Sequence, residues 1–150
     1  MAVFLWGGDM KRTILAAIAA VGSFIANSLG GWDAALTVLI AMMVIDILTG
    51  LAVAAIFSKS PKTEGGKISS AASFKGVTKK IVVLILVGLA VQLDKMMQVD
   101  YVRNLVIIFY IGSEGLSILE NLVLMDIPFP GFIKKLLEIM KDKGDSGEVK

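Results

Sequence analysis

The chain has no cysteine and no histidine. The first absence excludes a disulfide framework and a thiolate metal site. The second removes the usual general base and the commonest transition-metal ligand. No glycine-rich phosphate loop and no metal-ligand cluster can be found, so neither a cofactor nor enzymatic chemistry is expected. Charge is scarce as well. Asp, Glu, Lys and Arg make up 19% of the 150 residues, below the roughly 25% of soluble domains. What fills the chain instead is apolar: 56% of residues are hydrophobic, and mean hydropathy is +0.80. Both values place it among membrane proteins, where lipid rather than a large core covers apolar surface. There is no internal repeat of fixed period and no long low-complexity tract.

The stretch 104–125, NLVIIFYIGSEGLSILENLVLM, dominates the reading. As a helix it spans roughly 33 Å, enough for a bilayer core. An acid near the centre of such a helix costs on the order of 3 kcal/mol, and each Leu, Ile, Val or Phe returns only a few tenths. At about 100° per residue, Ser113, Glu114, Ser117, Glu120 and Asn121 fall within an arc of roughly 120°. A polar strip of this kind faces either partner helices or water.

From the N-terminus, Lys11 and Arg12 precede an apolar run at 13–29. This run is too short to be a secure span, at roughly 26 Å. Its charge pattern resembles that of a signal peptide, but the AxA-like site around Ala26 is poor. Gly22, Ala26 and Gly30 repeat at four-residue spacing, as do Ala19, Ser23 and Asn27, and small residues in such stripes let helix backbones approach. Gly30 and Gly31 make a turn next to Trp32, an interfacial residue. The second run, 34–57, is the clearest span. Asp46 lies at its centre, followed by Thr49 and Gly50. No Lys or Arg lies within an apolar run, which leaves Asp46 and Glu114 without an evident cation at their depth.

Residues 58–73 form a Ser/Gly/Lys/Pro loop. Lys59, Lys62, Lys67, Lys75, Lys79 and Lys80 oppose one acid there, Glu64. The positive-inside rule puts this segment in the cytoplasm. Aromatic interleaving is nearly absent, so no nucleic acid is expected as a partner. The third run, 81–93, reaches membrane length by extending to about Met97 and contains Gly88, a candidate for close helix contact. Asp94, Lys95, Asp100, Tyr101 and Arg103 then make a mixed-charge external connection. Pro128 and Pro130 end the last span. In 131–143, Ile133, Leu136, Leu137 and Met140 follow helical spacing, and Lys134, Lys135 and Lys141 are positioned to meet an anionic lipid surface.

The expectation is an all-α integral membrane protein with about four transmembrane helices plus a C-terminal amphipathic helix, both termini being cytoplasmic. Its parts are an N-terminal arm at 1–12, a membrane domain at 13–127, the amphipathic helix at 128–143 and a tail at 144–150. The intramembrane polar candidates are Asp46, Thr49, Gly50, Glu114, Ser117, Glu120 and Asn121. Gly22, Ala26 and Gly88 are the candidates for helix contact.

The order of several motifs resembles the toxin-secretion and phage-lysis holins of Gram-positive phages and clostridia. These are DILTG at 46–50, SFKG at 73–76 with lysines at 79 and 80, LD at 93–94, and FYIGSEGLSILEN at 109–121. A proline pair and a basic end follow. The likeness covers 34–141, and Ser113 stands where the family commonly has Asn. It implies a bacterial inner-membrane protein that forms homo-oligomers, permeabilises the membrane and releases an endolysin or a toxin. The residues alone leave open a small ion channel or a proton-coupled transport subunit, with Asp46 and Glu114 as the relay.

Residues 6–10, WGGDM, can be encoded by a run ending GGAGGTGAT-ATG, which matches a strong bacterial ribosome-binding site. Met10 is then a second translation start, and phage holins resemble one another in using dual starts. On that reading residues 1–9 pack little.

Overall fold

The computed structural model describes residues 2–62, 65, 67–128, 130–132 and 135, with side chains described from residue 9. The described residues form four long helices and no strand. Helix α1 covers Ala2–Ser28 and α2 covers Ala34–Ala52, the latter continued by a π turn at Val53–Phe57. Helix α3 covers Ser70–Met97 and α4 covers Val102–Leu124. Three helical segments are long and apolar enough to cross a bilayer: Ala34–Phe57, Ser70–Met97 and Val102–Leu124. The amphipathic helix expected at 131–143 falls largely outside the described residues.

Helix α4 is the wedge of the bundle, packing first against α2 and then against α3, which barely touch each other. Its buried positions Arg103, Ile107, Glu114 and Asn121 are four, seven and seven residues apart, so one seam faces its neighbours along the whole helix. Leu36, Leu39 and Met43 of α2, Val83 and Val87 of α3, and Ile107 of α4 form the apolar core, closed at one end by Leu29. Beside Glu114, Gly115 lets the Met42 side chain come close: a Cβ there would stand 3.3 Å from Met42 Cε.

Outside the core the usual order is inverted. Val44, Leu48, Ile85, Leu89, Ile108 and Phe109 are exposed, whereas Asp94, Arg103, Glu114 and Asn121 are buried. Exposed apolar surface on this scale marks a membrane contact, and polar groups in such a protein turn to the bundle interior. Trp32 and Tyr101, both exposed, sit in the two connections at one end of the bundle, as aromatic residues do at a membrane–water boundary.

Helix ends follow local chemistry. The Asp33 carboxylate caps α2, accepting from the Leu36 N–H at 2.9 Å. Tyr101 offers α4 no side-chain cap. Asp94 of α3 replaces it, accepting from the Val102 and Arg103 N–H groups at 2.9 and 3.0 Å and so satisfying two of the orphan donors of a helix start. Helix α1 runs from Ala2 through position 12 and into the apolar run without a turn. Its residues 9–25 are exposed, and it meets the bundle at its C-terminal end, where Ser28 O and Leu29 lie against Gly88.

Gly30 and Gly31 turn the chain from α1 to α2 with φ of +85° and +100°. A Cβ on Gly30 would stand 2.7 Å from Arg103 Nε and 3.0 Å from Val91 Cγ2, whereas one on Gly31 would meet nothing within 4 Å. Gly31→Ala is therefore expected to cost about 1 kcal/mol, the backbone strain alone. Gly30→Ala adds displacement of Arg103 and is expected to cost at least about 2–3 kcal/mol. Thermal unfolding of both variants in the same detergent checks the ordering.

Candidate functional site

The polar residues of the three spans meet. Asp46 is followed by 11 residues of its helical segment, Lys80 is preceded by 10 residues of α3, and Glu114 is followed by 10 residues of α4. At 1.5 Å per residue, all three lie roughly 15 Å from the same end of the bundle. There Lys80 Nζ donates to Asp46 Oδ2 at 2.7 Å and also to Glu114 Oε2. The three side chains are only 11–12% exposed.

This corrects the expectation that the two acids lack a cation at their depth. Hydropathy begins the third span at Ile81 and leaves Lys80 outside it. Helix α3 begins at Ser70 instead, with the Ser69 hydroxyl as its N-cap, and this carries Lys80 about three turns inward. A lysine near a membrane boundary ordinarily snorkels outward; here two carboxylates hold it in.

Asn121 extends the cluster. Its Nδ2 donates to Asp46 Oδ1 at 3.1 Å and to Thr49 Oγ1 at 3.0 Å. The Thr49 hydroxyl in turn donates back to the Ile45 and Asp46 carbonyls, a common arrangement for a hydroxyl inside a helix. A Cβ on Gly50 would be 3.5 Å from Asn121 Nδ2, so the helices approach closely at that point. Asp46, Thr49, Gly50, Glu114 and Asn121 are thus brought together, with Lys80 as the unforeseen member. Ser117 and Glu120 are half-buried.

Among the contact candidates, a Cβ on Gly88 would stand 3.6 Å from Ser28 O, and the position beside Gly22 is open. Ala26 is half-buried, its carbonyl accepting from the Gly31 N–H at 2.8 Å. Lys135 is exposed, and Lys134 and Lys141 lie outside the described residues.

A second polar tie closes the opposite end. Arg103 donates to Leu29 O (2.6 Å) and Gly31 O (3.2 Å), and forks onto both Asp33 oxygens at 2.6 and 3.2 Å. With Asp94 on its backbone N–H, one residue links all four helices. Arg103, expected in a mixed-charge external connection, is instead buried. The missed signal was its place in the first turn of α4, where the helix dipole disfavours a cation and an acidic partner is required. The Arg103 hydrogen bond, then the Leu36 N–H, hold the Asp33 carboxyl below its ordinary pKa of 3.8, against a smaller opposing effect of burial.

Among the described residues, no group of three acids, cysteines or histidines is arranged to hold a metal ion, and no buried side-chain nitrogen or oxygen lacks a hydrogen-bond partner. Fold and site together define a small all-helical membrane protein whose buried charged residues are hydrogen-bonded inside its bundle. The bacteriophage holin family matches residues 23–142. An uncharacterised Listeria monocytogenes protein is 35% identical over 130 residues, covering 86% of this chain and 87% of the relative. An uncharacterised Clostridium perfringens protein is 31% identical over 118 residues, covering 77% and 82%. A probable holin of Bacillus phage phi105 is 28% identical over 111 residues, covering 73% and 76%. No solved structure matches significantly. The chain belongs to the bacteriophage holin family.

The Asp33–Arg103 pair has a pH signature. A carboxyl with a lowered folded pKa adds stability that is fully present above its unfolded value of 3.8 and is lost as pH falls through the lower folded value. Asp33→Asn keeps an N-cap and removes the charge. The wild type should be more stable than this variant by no more than about 1 kcal/mol at neutral pH, since Asp33 is half exposed. The gap should hold down to about pH 5 and close below about pH 3.8. Unfolding midpoints of both proteins across this range check it.

Proposed function

We propose that the protein is a phage-type holin. It oligomerises in the bacterial inner membrane and opens lesions through which an endolysin, or in some settings a toxin, leaves the cell. The observation that carries this reading is the Lys80 bridge between Asp46 and Glu114 in a chain of the holin family. In the single chain the bridge keeps Glu114, at the heart of the α4 strip, inside the bundle. Lesion formation turns that strip toward water. Helix α1 serves as the fourth span, with both termini cytoplasmic, which accords with the lysines gathered at 59–80. Its exposed surface, including the open position at Gly22, meets lipid or another copy.

A second reading is a proton-coupled channel or transport subunit. A lysine bridging two carboxylates at mid-span is also what a proton relay uses. The two readings differ in what crosses the membrane. In cells expressing the protein with a cytoplasmic reporter enzyme, a holin releases the enzyme, whereas a channel collapses ion gradients and retains it.

The cluster makes the holin reading specific. Two carboxylates share one ammonium, so with both ionised the site carries one negative charge. Glu114→Leu leaves a one-to-one Lys80–Asp46 pair, and we expect it to insert normally and release no reporter. Lys80→Met leaves two carboxylates without their cation, a loss of roughly 3–5 kcal/mol for a buried pair, and we expect early release. Restored timing is expected when Lys80→Met is combined with Asp46→Asn and Glu114→Gln. Wild-type timing in both single variants would show that the bridge does not control opening.

The topology is tested separately. A reporter active only in the cytoplasm should work when fused at either terminus. Activity at one end alone would replace four spans by three.

A further inference from the structure

The lysine-bearing end of the bundle holds two adjoining cavities. The inner one, about 200 Å³, lies between the end of α2 and the start of α3. Leu51, Ala54, Ile68 and Val77 are among its walls, and Asp46 and Asn121 close its inner end. The outer one is a shallow depression of about 510 Å³ lined by Lys62, Lys67 and Lys75 along with Ser69 and Ala72. Lys62, Lys67, Ile68, Ser69 and Ala72 line both, so the two lie side by side. Among the described residues lining the depression, three are lysines and none is acidic; Lys67 has a partner of its own, which leaves Lys62 and Lys75 to meet an anion. The depression also adjoins the N-terminus of α3, whose dipole favours an anion.

We propose that this paired cavity is a binding site for one anionic phospholipid, with the head group on Lys62 and Lys75 and part of one acyl chain in the slot. An apolar slot beside a basic depression fits an amphiphile with an anionic head. Basic pockets between helices at a membrane face bind such head groups. The slot is smaller than the roughly 300–1,000 Å³ that encloses a whole small-molecule ligand, so it takes a length of one chain while the rest of the lipid stays in the bilayer. The basic segment 131–143 of this chain is a poor occupant on charge, since it carries four lysines against two acids. A free phosphate would leave the apolar slot empty. The site reaches Asp46 and Asn121 at its floor, so a bound lipid touches the polar cluster directly and favours the bundle in which α2 and α3 stand apart. The inference rests on the membrane class of the chain and on this geometry, not on lesion formation.

The experiment uses the full chain in neutral detergent. Retained phosphatidylglycerol and phosphatidylcholine with the same acyl chains are compared by native mass spectrometry. Phosphatidylglycerol should be retained at least about tenfold more strongly. The double variant Lys62→Gln, Lys75→Gln changes two surface side chains and should abolish that preference. Ala72→Phe fills the slot and should lower retention of phosphatidylglycerol at least tenfold, with Gly76→Leu as its replacement where helicity is lost. Lys95→Gln, at the opposite end, should change nothing. Equal retention of the two lipids by the wild type overturns the site, as does undiminished preference in the lysine variant or full retention in the slot variant. Displacement of the lipid by glycerol phosphate at equal concentration would assign the lysines to a free phosphate and likewise overturn it.

Discussion

A single ammonium group shared by two carboxylates from two other helices is the constraint on which the bundle depends. Desolvating an ion in low dielectric costs several kcal/mol even after relaxation, and Lys80, Asp46 and Glu114 meet that cost by lying at one depth in three different spans. Any register shift of one helix by a turn, about 5.4 Å, would separate them. The cluster therefore selects one axial alignment more than it adds stability, which is the better-attested role of buried polar groups. Asn121 sharpens the choice, because its amide reaches both the Asp46 carboxylate and the Thr49 hydroxyl.

Helix α4 carries this alignment because its seam runs from one polar tie to the other. Arg103 fixes the end near the Gly30–Gly31 turn, Ile107 fills the apolar layer, and Glu114 and Asn121 fix the inner half. Between helices in lipid there is little hydrophobic drive, so packing and polar contacts set the arrangement. Helix α1 shows the consequence of lacking them. It has no polar tie along residues 11–25, and it touches the bundle where Leu29 and the turn carbonyls reach Gly88 and Arg103.

The sequence reveals this arrangement unevenly. The α4 strip is legible because helical periodicity puts Glu114 and Asn121 on one side of an apolar helix. Asp46 is legible because a lone acid at the centre of a span must face inward. Lys80 is not, since hydropathy finds where apolar residues begin rather than where the helix begins, and the ten mostly polar or small residues ahead of it belong to α3. Nor is Asp94 as a cap for α4, because the cap comes from the preceding helix rather than from the residue before Val102. Arg103 was hidden for the same reason: its partners lie about 70 residues away, at Leu29, Gly31 and Asp33. Spacing within a segment predicts which face is polar, whereas the identity of the partner is a property of the tertiary fold.

The shared seam also limits how a lesion can arise. Glu114 and Asn121 are occupied by Lys80, Asp46 and Thr49 from helices on either side of α4, so the strip cannot face water while those contacts persist. A polar lining requires either that α4 leave its wedge or that another copy replace one of the neighbours. Replacement keeps every buried charge paired throughout, whereas simple departure leaves Lys80 with Asp46 but strands the Glu114 carboxylate unpaired in hydrocarbon, at several kcal/mol. The lower-cost path under the proposed function is thus exchange of partners between copies. The exposed faces of α1, α2 and α3 supply the surfaces on which a second copy can first bind.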